Sequence, residues 1–277
     1  MTLPLIPCAP TEHLIDDPTG RVAERDYMTA IRAAITNHPR SLQKRIGPSE
    51  IGHPCARRLG YKLLGAPEVN QFPDVPWKPT VGTAVHAWAE DAFHADNAHD
   101  DEHLRWLIES RVDVGEVGGV AVTGSADLFD RHTGTVIDHK VVGKTQLTKY
   151  RAKGPGQQYR AQAHLYGRGF ARRGLRVRRV MIAFLPRDGE LKDAYIWSEP
   201  YDEQVALDAL QRVEGIHLAT ATIGVAALAA LATADAFCSR CPYFKRGSTD
   251  PAAGCPGDQE AVARSTSAPV LSLAGPS

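Results

Sequence analysis

The stretch 123–142, which reads TGSADLFDRHTGTVIDHKVV, contains Asp127, Asp138 and Lys140. Two runs of alternating apolar residues flank a short turn that contains a glycine, and this pattern predicts a β-hairpin. Side chains alternate along a strand, so Asp138 and Lys140 point to one side and His139 to the other. Asp127, near the end of the first strand, can reach that side across the pair. The stretch predicts a divalent-metal site beside a lysine, and a surface salt bridge on a hairpin is the alternative.

The overall composition is that of an ordinary globular protein. The chain has 277 residues, 43% of them hydrophobic and 23% charged, and its formal net charge is zero. No apolar run approaches the ~20 residues that a membrane helix needs. The N-terminus lacks the basic start and apolar block of a signal peptide. We therefore expect a cytoplasmic protein that makes no membrane contact.

Positive charge is concentrated between Lys140 and Arg179, where four lysines and eight arginines occur without a single acidic residue. Such a block attracts a polyanion, and the affinity should fall steeply with salt. A solvated basic face without a partner is the alternative. A block that begins at the lysine of the candidate metal site favours nucleic acid. The residues expected to contact DNA are Lys144, Lys149, Arg151, Lys153 and Arg160.

The elements that must position these residues follow from the spacing of apolar residues. This spacing favours an α/β fold with a central mixed β-sheet flanked by helices. Helices are predicted at 21–37, from 48 onward, and at 81–98, 157–173, 202–219 and 223–236. Strands are predicted at 104–114, 119–130, 135–142, 177–185 and 194–197.

Two predicted helices carry further candidate residues. His86 lies on the helix at 81–98, although a lone histidine on such a helix is usually a satisfied core or surface residue. Gln162 and Tyr166 are one turn apart on the helix at 157–173 and form one stripe. A solvent-facing stripe with Tyr166 half-buried is the alternative.

The cysteine spacing predicts a second site. Cys238 and Cys241 form a C-x-x-C pair and Cys255 follows, in a segment rich in turn formers. Disulfides are not expected in a cytoplasmic chain, so the pattern favours metal ligands over a redox pair. Cys55, inside the second predicted helix, is a better fourth thiolate than Cys8 in the loose N-terminal tail. Such a site would join distant parts of the chain, and its spacing leaves zinc and an iron–sulfur cluster both open.

Taken together, these motifs resemble the RecB-like branch of the PD-(D/E)xK nuclease superfamily. The match is best to the iron–sulfur exonucleases of the CRISPR-associated Cas-four type and their phage-encoded relatives. Asp138 stands where many members have glutamate, and the gap between Cys241 and Cys255 is longer than is usual for the type. The matching motifs lie within residues 48–257 and are, in order, Cys55, His86 in GTAVH, Asp127 in GSADLFD, Asp138 and Lys140 in IDHK, Gln162 and Tyr166 in QAHLY, and then Cys238, Cys241 and Cys255.

The resemblance implies a restriction-endonuclease-like core with an iron–sulfur-clipped helical part. It implies a metal-dependent DNA exonuclease that hydrolyses phosphodiester bonds on single-stranded DNA or DNA ends. A non-cutting DNA-binding adaptor of the same fold, working with a recombination or CRISPR integration protein, is the alternative. The implied catalytic residues are Asp127, Asp138, Lys140, Gln162 and Tyr166. The implied ligands of Mg²⁺ or Mn²⁺ are His86, Asp127, Asp138 and the backbone carbonyl of His139. The implied ligands of a 4Fe–4S cluster, with zinc as the alternative occupant, are Cys55, Cys238, Cys241 and Cys255.

The same reading divides the chain into three parts. Residues 1–47 are expected to form a loose segment followed by a helix. Residues 48–257 are expected to form the RecB-like nuclease domain with its cysteine cluster, and residues 258–277 a disordered tail, because the tail is small and polar.

Overall fold

The computed structural model describes residues 19–38, 45–70, 72, 74–98, 104–234 and 238–258. The chain divides into two compact units, Met1–Gln43 and Lys44–Ser277. The first unit contains helix α1, Arg21–Thr36, where a helix was predicted. The segment predicted to be loose before residue 19, with Cys8, and the predicted tail from residue 259 lie outside the described residues.

The second unit is an α/β fold built on one mixed five-stranded sheet. Its strands are β1 (Trp106–Val117), β2 (Val120–Asp130), β3 (Thr135–Val142), β4 (Arg179–Pro186) and β5 (Tyr195–Pro200). Its helices are α2 (Pro48–Ile51), α3 (Ala56–Leu63), α4 (Trp77–Asn97), α5 (Lys144–Lys153), α6 (Gly156–Arg172), α7 (Glu203–Ile223) and α8 (Ala227–Ala230). The strands are adjacent in sequence order, and all neighbours are antiparallel except β3 and β4, which are parallel.

The predicted hairpin is formed by β2 and β3. Gly134 closes its turn with φ of +71°, a conformation that favours glycine, and its N–H donates to Asp130 O at 2.8 Å. The two strands pair at three positions only, of which Leu128↔Ile137 is the last before the strands separate. The hairpin is therefore closed at its turn and open at the end that carries the acidic residues.

Helices α6 and α4 pack against the sheet and bring their polar residues to this open end. On α6, Phe170 stacks on Phe129 of β2 with ring centroids 4.7 Å apart, and both are almost fully buried. On α4, Phe93 stacks on His139 of β3 with centroids 5.9 Å apart. Apolar burial of this kind supplies most of the free energy that fixes a helix on a sheet.

The helix predicted from residue 48 onward is interrupted. α2 ends after Ile51 and α3 begins at Ala56, because Pro54 has no N–H for a helical bond and restricts the residue before it. Cys55 is therefore not inside a helix. It is the N-cap of α3, and its Sγ accepts a hydrogen bond from the backbone N–H of Arg58 at 3.4 Å.

Two further helices differ from the sequence prediction. α5 was not predicted, because its many lysines and polar residues give it no apolar stripe and only Leu147 is buried. In the described part of the helix predicted at 223–236, the chain forms a short 3-10 helix, Gly224–Ala226, followed by the four residues of α8. Gly224, with φ of +59°, ends α7 and breaks the continuity between the two.

The helical stretch Glu203–Ala230 is long and apolar enough, by length and composition, to cross a membrane. No apolar run of that length is evident in the sequence, because charged residues interrupt the stretch. Ala206, Leu210 and Val213 recur at helical spacing and are buried in the main core. This pattern is typical of an amphipathic helix packed on a globular domain.

Gly169 lets α6 approach β1 closely, and we expect Gly169→Ala to destabilise the protein by about 1–3 kcal/mol. A Cβ there would lie 2.6 Å from Cβ and Cγ2 of Val112, which is buried and cannot move freely. Gly215→Ala on α7 is the matched control, because outside its chain neighbours and the backbone of its own helix no heavy atom lies within 4 Å of its added Cβ. The control should be neutral or stabilising by up to about 1 kcal/mol. Urea denaturation of both variants measures the difference, and equal stabilities would contradict the close approach.

Candidate active site

Asp138 and Lys140 lie on the same side of β3, as the strand alternation predicted. Lys140 Nζ is 2.6 Å from Asp138 Oδ2 and 5.0 Å from the centre of the Tyr159 ring. Asp138 is 1% exposed, so this ion pair sits almost entirely out of water. An ammonium on a flexible stem beside a buried carboxylate can donate protons and stabilise negative charge.

Gln162 and Tyr166 of α6 hold Asp138 from the other side. Gln162 Nε2 donates to Asp138 Oδ1 at 3.1 Å and to the Tyr166 hydroxyl at 3.4 Å. Gln162 is 4% exposed and Tyr166 6%, so the alternative of a solvent-facing stripe is wrong. Asp138 Oδ1 thus accepts a hydrogen bond from Gln162, and Asp138 Oδ2 forms the ion pair with Lys140. Gln162 therefore orients the carboxylate of Asp138.

Asp127 lies where β2 and β3 separate. Extending the pairing beyond Leu128↔Ile137 by one step puts Asp127 opposite Asp138. The strands no longer pair there, and the backbone N–H of His139 donates to the side-chain Oδ2 of Asp127 at 2.7 Å and not to a backbone carbonyl of β2. Asp127 is 8% exposed, and a buried carboxylate that accepts a backbone N–H stays ionised more readily.

The pKa values of Asp127 and Asp138, at the open end of the hairpin, are shifted in opposite directions. Burial raises the pKa of Asp138 to about 6, and the charge of Asp127 adds to this effect while Lys140 opposes it. Burial also acts to raise the pKa of Asp127, but the contacts with His86, Lys140 and the His139 amide outweigh it and the pKa is lowered. Two neighbouring carboxylates with separated pKa values are typical of functional sites.

His86 is brought from α4 to Asp127, as a metal ligand there requires. Its Nδ1 lies 3.5 Å from Asp127 Oδ1, and this contact raises the pKa of His86 against the opposing effect of burial. Nδ1 is buried and has no hydrogen-bond partner among the described residues. Once it has given up its proton, His86 can therefore offer Nδ1 to a cation.

Glu109 of β1 was not among the residues singled out from the sequence. One ligand atom from each of His86, Glu109 and Asp127 lies within 4.8 Å of the other two, the only such group of three or more His, Cys, Asp or Glu in the described part of the chain. Glu109 is also the only described residue other than glycine with a positive φ, +41°. An acidic residue inside a predicted strand was the available signal, but the sequence alone does not show which face it occupies.

His139 differs from its predicted arrangement, in which its side chain faces away and only its carbonyl is engaged. Its N–H is the group bonded to Asp127, and its Nδ1 lies 4.0 Å from the same Oδ2. Its ring is 6.0 Å from the His86 ring. Burial lowers the pKa of His139, so the imidazole is kept neutral beside the site.

The basic residues predicted to contact DNA fall into two groups. Lys144, Lys149 and Lys153 are exposed on α5, which directly follows the strand that carries Lys140. Arg151 donates to the carbonyl of Asp193. Arg160 donates to Glu199 Oε1 at 2.5 Å, so this guanidinium has an intramolecular partner.

The four candidate cysteines line one pocket, with about 360 Å³ of empty space counting the part open to solvent. Backbone N–H groups donate to three of them: Arg58 to Cys55 at 3.4 Å, Gly257 to Cys255 at 3.4 Å and Asp258 to Cys238 at 3.2 Å. The N–H of Tyr243 does the same for Cys241. Such bonds favour thiolates, and the four cysteines line the same pocket. The pocket is lined by Cys55, Cys238, Cys241, Cys255, His53 and Arg58, among others.

Burial raises the pKa of the Cys238 and Cys241 thiols. A raised pKa disfavours the thiolate, which is the form that acts both as nucleophile and as metal ligand, so the shift does not distinguish the two roles. The described cysteines form no disulfide. Four of them line one pocket, two more than a thiol–disulfide pair uses.

Comparisons with known proteins give similarity at the level of the fold. No family model matches the chain, and no curated protein matches it. The solved structure titled SSO0001 aligns with a TM-score of 0.46 and 15% identity, over 80% of this chain and 94% of that one. The alkaline exonuclease LHK-Exo from Laribacter hongkongensis aligns with a TM-score of 0.41 and 12% identity, over 68% of this chain and 89% of that one.

Proposed function

We propose that the chain is a divalent-metal-dependent deoxyribonuclease, specifically an exonuclease acting on single-stranded DNA or DNA ends in the cytoplasm. The observation that carries the proposal is the convergence of Asp127, Asp138 and Lys140 at the open end of the hairpin, with His86 beside them. Paired carboxylates, an ammonium and an imidazole in one buried place exceed what a surface salt bridge needs.

The residues fit Mg²⁺ or Mn²⁺, because carboxylate oxygens suit hard cations and His86 Nδ1 is buried without a hydrogen-bond partner among the described residues. Asp127, Asp138, His86 and the carbonyl of His139 would hold the cation. A bound cation supplies polarisation of the phosphate and a lowered pKa of the attacking water.

The remaining steps belong to side chains of the chain itself. Lys140 would orient the attacking water, take up or release its proton, and stabilise charge on the phosphate. The contact at 2.6 Å with Asp138 holds the Lys140 ammonium in place. Gln162 and Tyr166, both buried, would act by fixing Asp138, and DNA would meet the more exposed Lys140 first.

The basic block would hold the DNA backbone without reading sequence. The best supported contacts are Lys144, Lys149 and Lys153, because they are exposed on the helix that follows Lys140. Arg151 and Arg160 would have to exchange an intramolecular partner for phosphate.

The cysteine pocket is proposed to hold a 4Fe–4S cluster. Four cysteines that line one pocket fit either a cluster or zinc in donor chemistry. The resemblance to iron–sulfur exonucleases favours the cluster, and zinc is the alternative occupant.

The test is hydrolysis of end-labelled single-stranded DNA by anaerobically purified protein with Mn²⁺. We expect degradation that stops with a chelator and returns when metal is added. Asp138→Asn should abolish it, whereas Asp188→Asn, in the exposed turn between β4 and β5, should not. Salt-sensitive DNA binding without hydrolysis in any divalent metal would contradict the proposal and favour the non-cutting adaptor.

A further inference from the structure

Glu109 lies opposite an acidic residue in the sheet. The pairs Ile108↔Leu128 and Ser110↔Ala126 flank it, so its partner across β1 and β2 is Asp127. Like charges directly opposite each other on neighbouring strands are destabilising. Asp127 is more than nine-tenths buried, which strengthens the repulsion because water screens it less. A positive charge between the two carboxylates would relieve this repulsion.

The described side chains leave a place for that charge. The one hydrogen bond that Asp127 accepts among the described residues is at Oδ2, from the His139 N–H. Oδ1 has only the contact with His86 Nδ1 at 3.5 Å, and that nitrogen is buried without a hydrogen-bond partner among those residues. Glu109 brings a third ligand atom within 4.8 Å of the other two.

Glu109 is held in position by Ser125 of β2. The Ser125 hydroxyl donates to Glu109 Oε2 at 2.7 Å and lies 3.0 Å from Glu109 O. The same residue thus fixes both the carboxylate and the strained backbone of Glu109, which has φ of +41°. A carboxylate that is oriented by a hydroxyl is typical of metal sites, in which the ligands are themselves hydrogen-bonded.

Asp138 would have to loosen its present contacts in order to bind the cation as well. Its Oδ1 accepts from Gln162 at 3.1 Å, and its Oδ2 is 2.6 Å from Lys140 Nζ. The carboxylate on the other side of Asp127 is therefore the one directed to His86. One imidazole and two carboxylates suit Mn²⁺, which accepts both nitrogen and oxygen ligands.

We infer that Glu109 is a metal ligand, which forms a divalent-cation site together with His86 and Asp127. This inference rests on the proposed function, because the cation would serve the same reaction, and it adds a residue that the resemblance does not contain. Glu109 places the cation on the β1 side of Asp127. Asp127 is on β2, between Glu109 on β1 and the Asp138–Lys140 pair on β3.

The test measures Mn²⁺ binding directly, from the electron paramagnetic resonance signal of free Mn²⁺, without DNA. We expect Glu109→Gln to weaken Mn²⁺ binding about tenfold or more, and Ser125→Ala to weaken it in the same direction. Glu116→Gln is the matched control, because Glu116 is an exposed residue of the same strand. It should bind Mn²⁺ as the wild-type protein does.

A thermal melt separates loss of a ligand from loss of the fold. Without metal, Glu109→Gln should melt no lower than wild type, because it removes a like-charge repulsion. With Mn²⁺, wild type should gain stability and Glu109→Gln should gain little. Equal Mn²⁺ affinity of Glu109→Gln and Glu116→Gln would overturn the inference, and so would a wild type that binds no Mn²⁺.

The two proposals fail in different ways. If DNA is degraded but Glu109→Gln binds Mn²⁺ normally and degrades at the wild-type rate, Glu109 is not a ligand and the nuclease stands. If Mn²⁺ binding depends on Glu109 but no DNA is degraded in any metal, the cation site stands and the nuclease does not.

Discussion

Lys140→Met is expected to lower the rate of DNA hydrolysis by about 10²–10⁴-fold, the usual contribution of a positioned proton donor or acceptor. Methionine keeps an unbranched apolar stem over Tyr159 but has no ammonium, so the contact at 2.6 Å to Asp138 is lost. Asp138 is 1% exposed, and without its counter-charge it should take up a proton more readily. The measurement is single-turnover hydrolysis of labelled DNA with saturating Mn²⁺.

Lys192→Met is the matched control, because Lys192 is exposed near β5 and forms an ion pair with the nearby Glu190. It should hydrolyse DNA at the wild-type rate. Mn²⁺ binding should persist in Lys140→Met, since the ammonium is not a ligand. A Lys140→Met protein that is folded, binds Mn²⁺ and cuts DNA at the wild-type rate would contradict the role assigned to the lysine.

Cys55→Ser is expected to remove the cluster and to lower the melting temperature by about 10 °C or more, since binding at such a site is folding free energy. Cys55 lies at the start of α3 and lines the same pocket as the other three cysteines, so a cluster held there would join α3 to the C-terminal segment. The remaining links include Tyr61, which stacks on Tyr243 with centroids 5.1 Å apart and donates to Pro251 O at 2.8 Å. These contacts alone should leave the segment more open to proteolysis.

Iron analysis, absorbance near ~400 nm and limited proteolysis measure this effect. Cys8→Ser is the control, and it should keep the wild-type colour, iron content and melting temperature. If Cys55→Ser matches Cys8→Ser in all three measurements, Cys55 is not a ligand. A colourless wild type with one tightly bound zinc would instead favour the alternative occupant.

The sequence predicted the β-hairpin and the sheet because their patterns are local. Alternating apolar residues and a glycine turn determine a hairpin within about twenty residues of chain, and β2 and β3 lie where they were expected. The strand alternation also placed Asp138 beside Lys140. The prediction of one helix from residue 48 onward was wrong at Cys55, because it rested on apolar periodicity and Pro54 breaks the helix.

Local sequence patterns do not determine which residues from separate elements converge. Strand order, pairing and helix docking decide that Gln162 touches Asp138 and that His86 reaches Asp127. A motif order suggests such contacts only through resemblance to a known family. The cysteine pocket likewise depends on how α3 meets the C-terminal segment, which no spacing within either piece determines.

The sequence by itself therefore determined the kinds of groups available: two acids and a lysine on a hairpin, a basic block, and four cysteines of ligand type. The tertiary structure decided which groups act together. It buried Gln162 and Tyr166 against Asp138, and it turned the His139 amide toward Asp127. It brought Glu109 opposite Asp127, because pairing between strands sets neighbours that are distant in the chain.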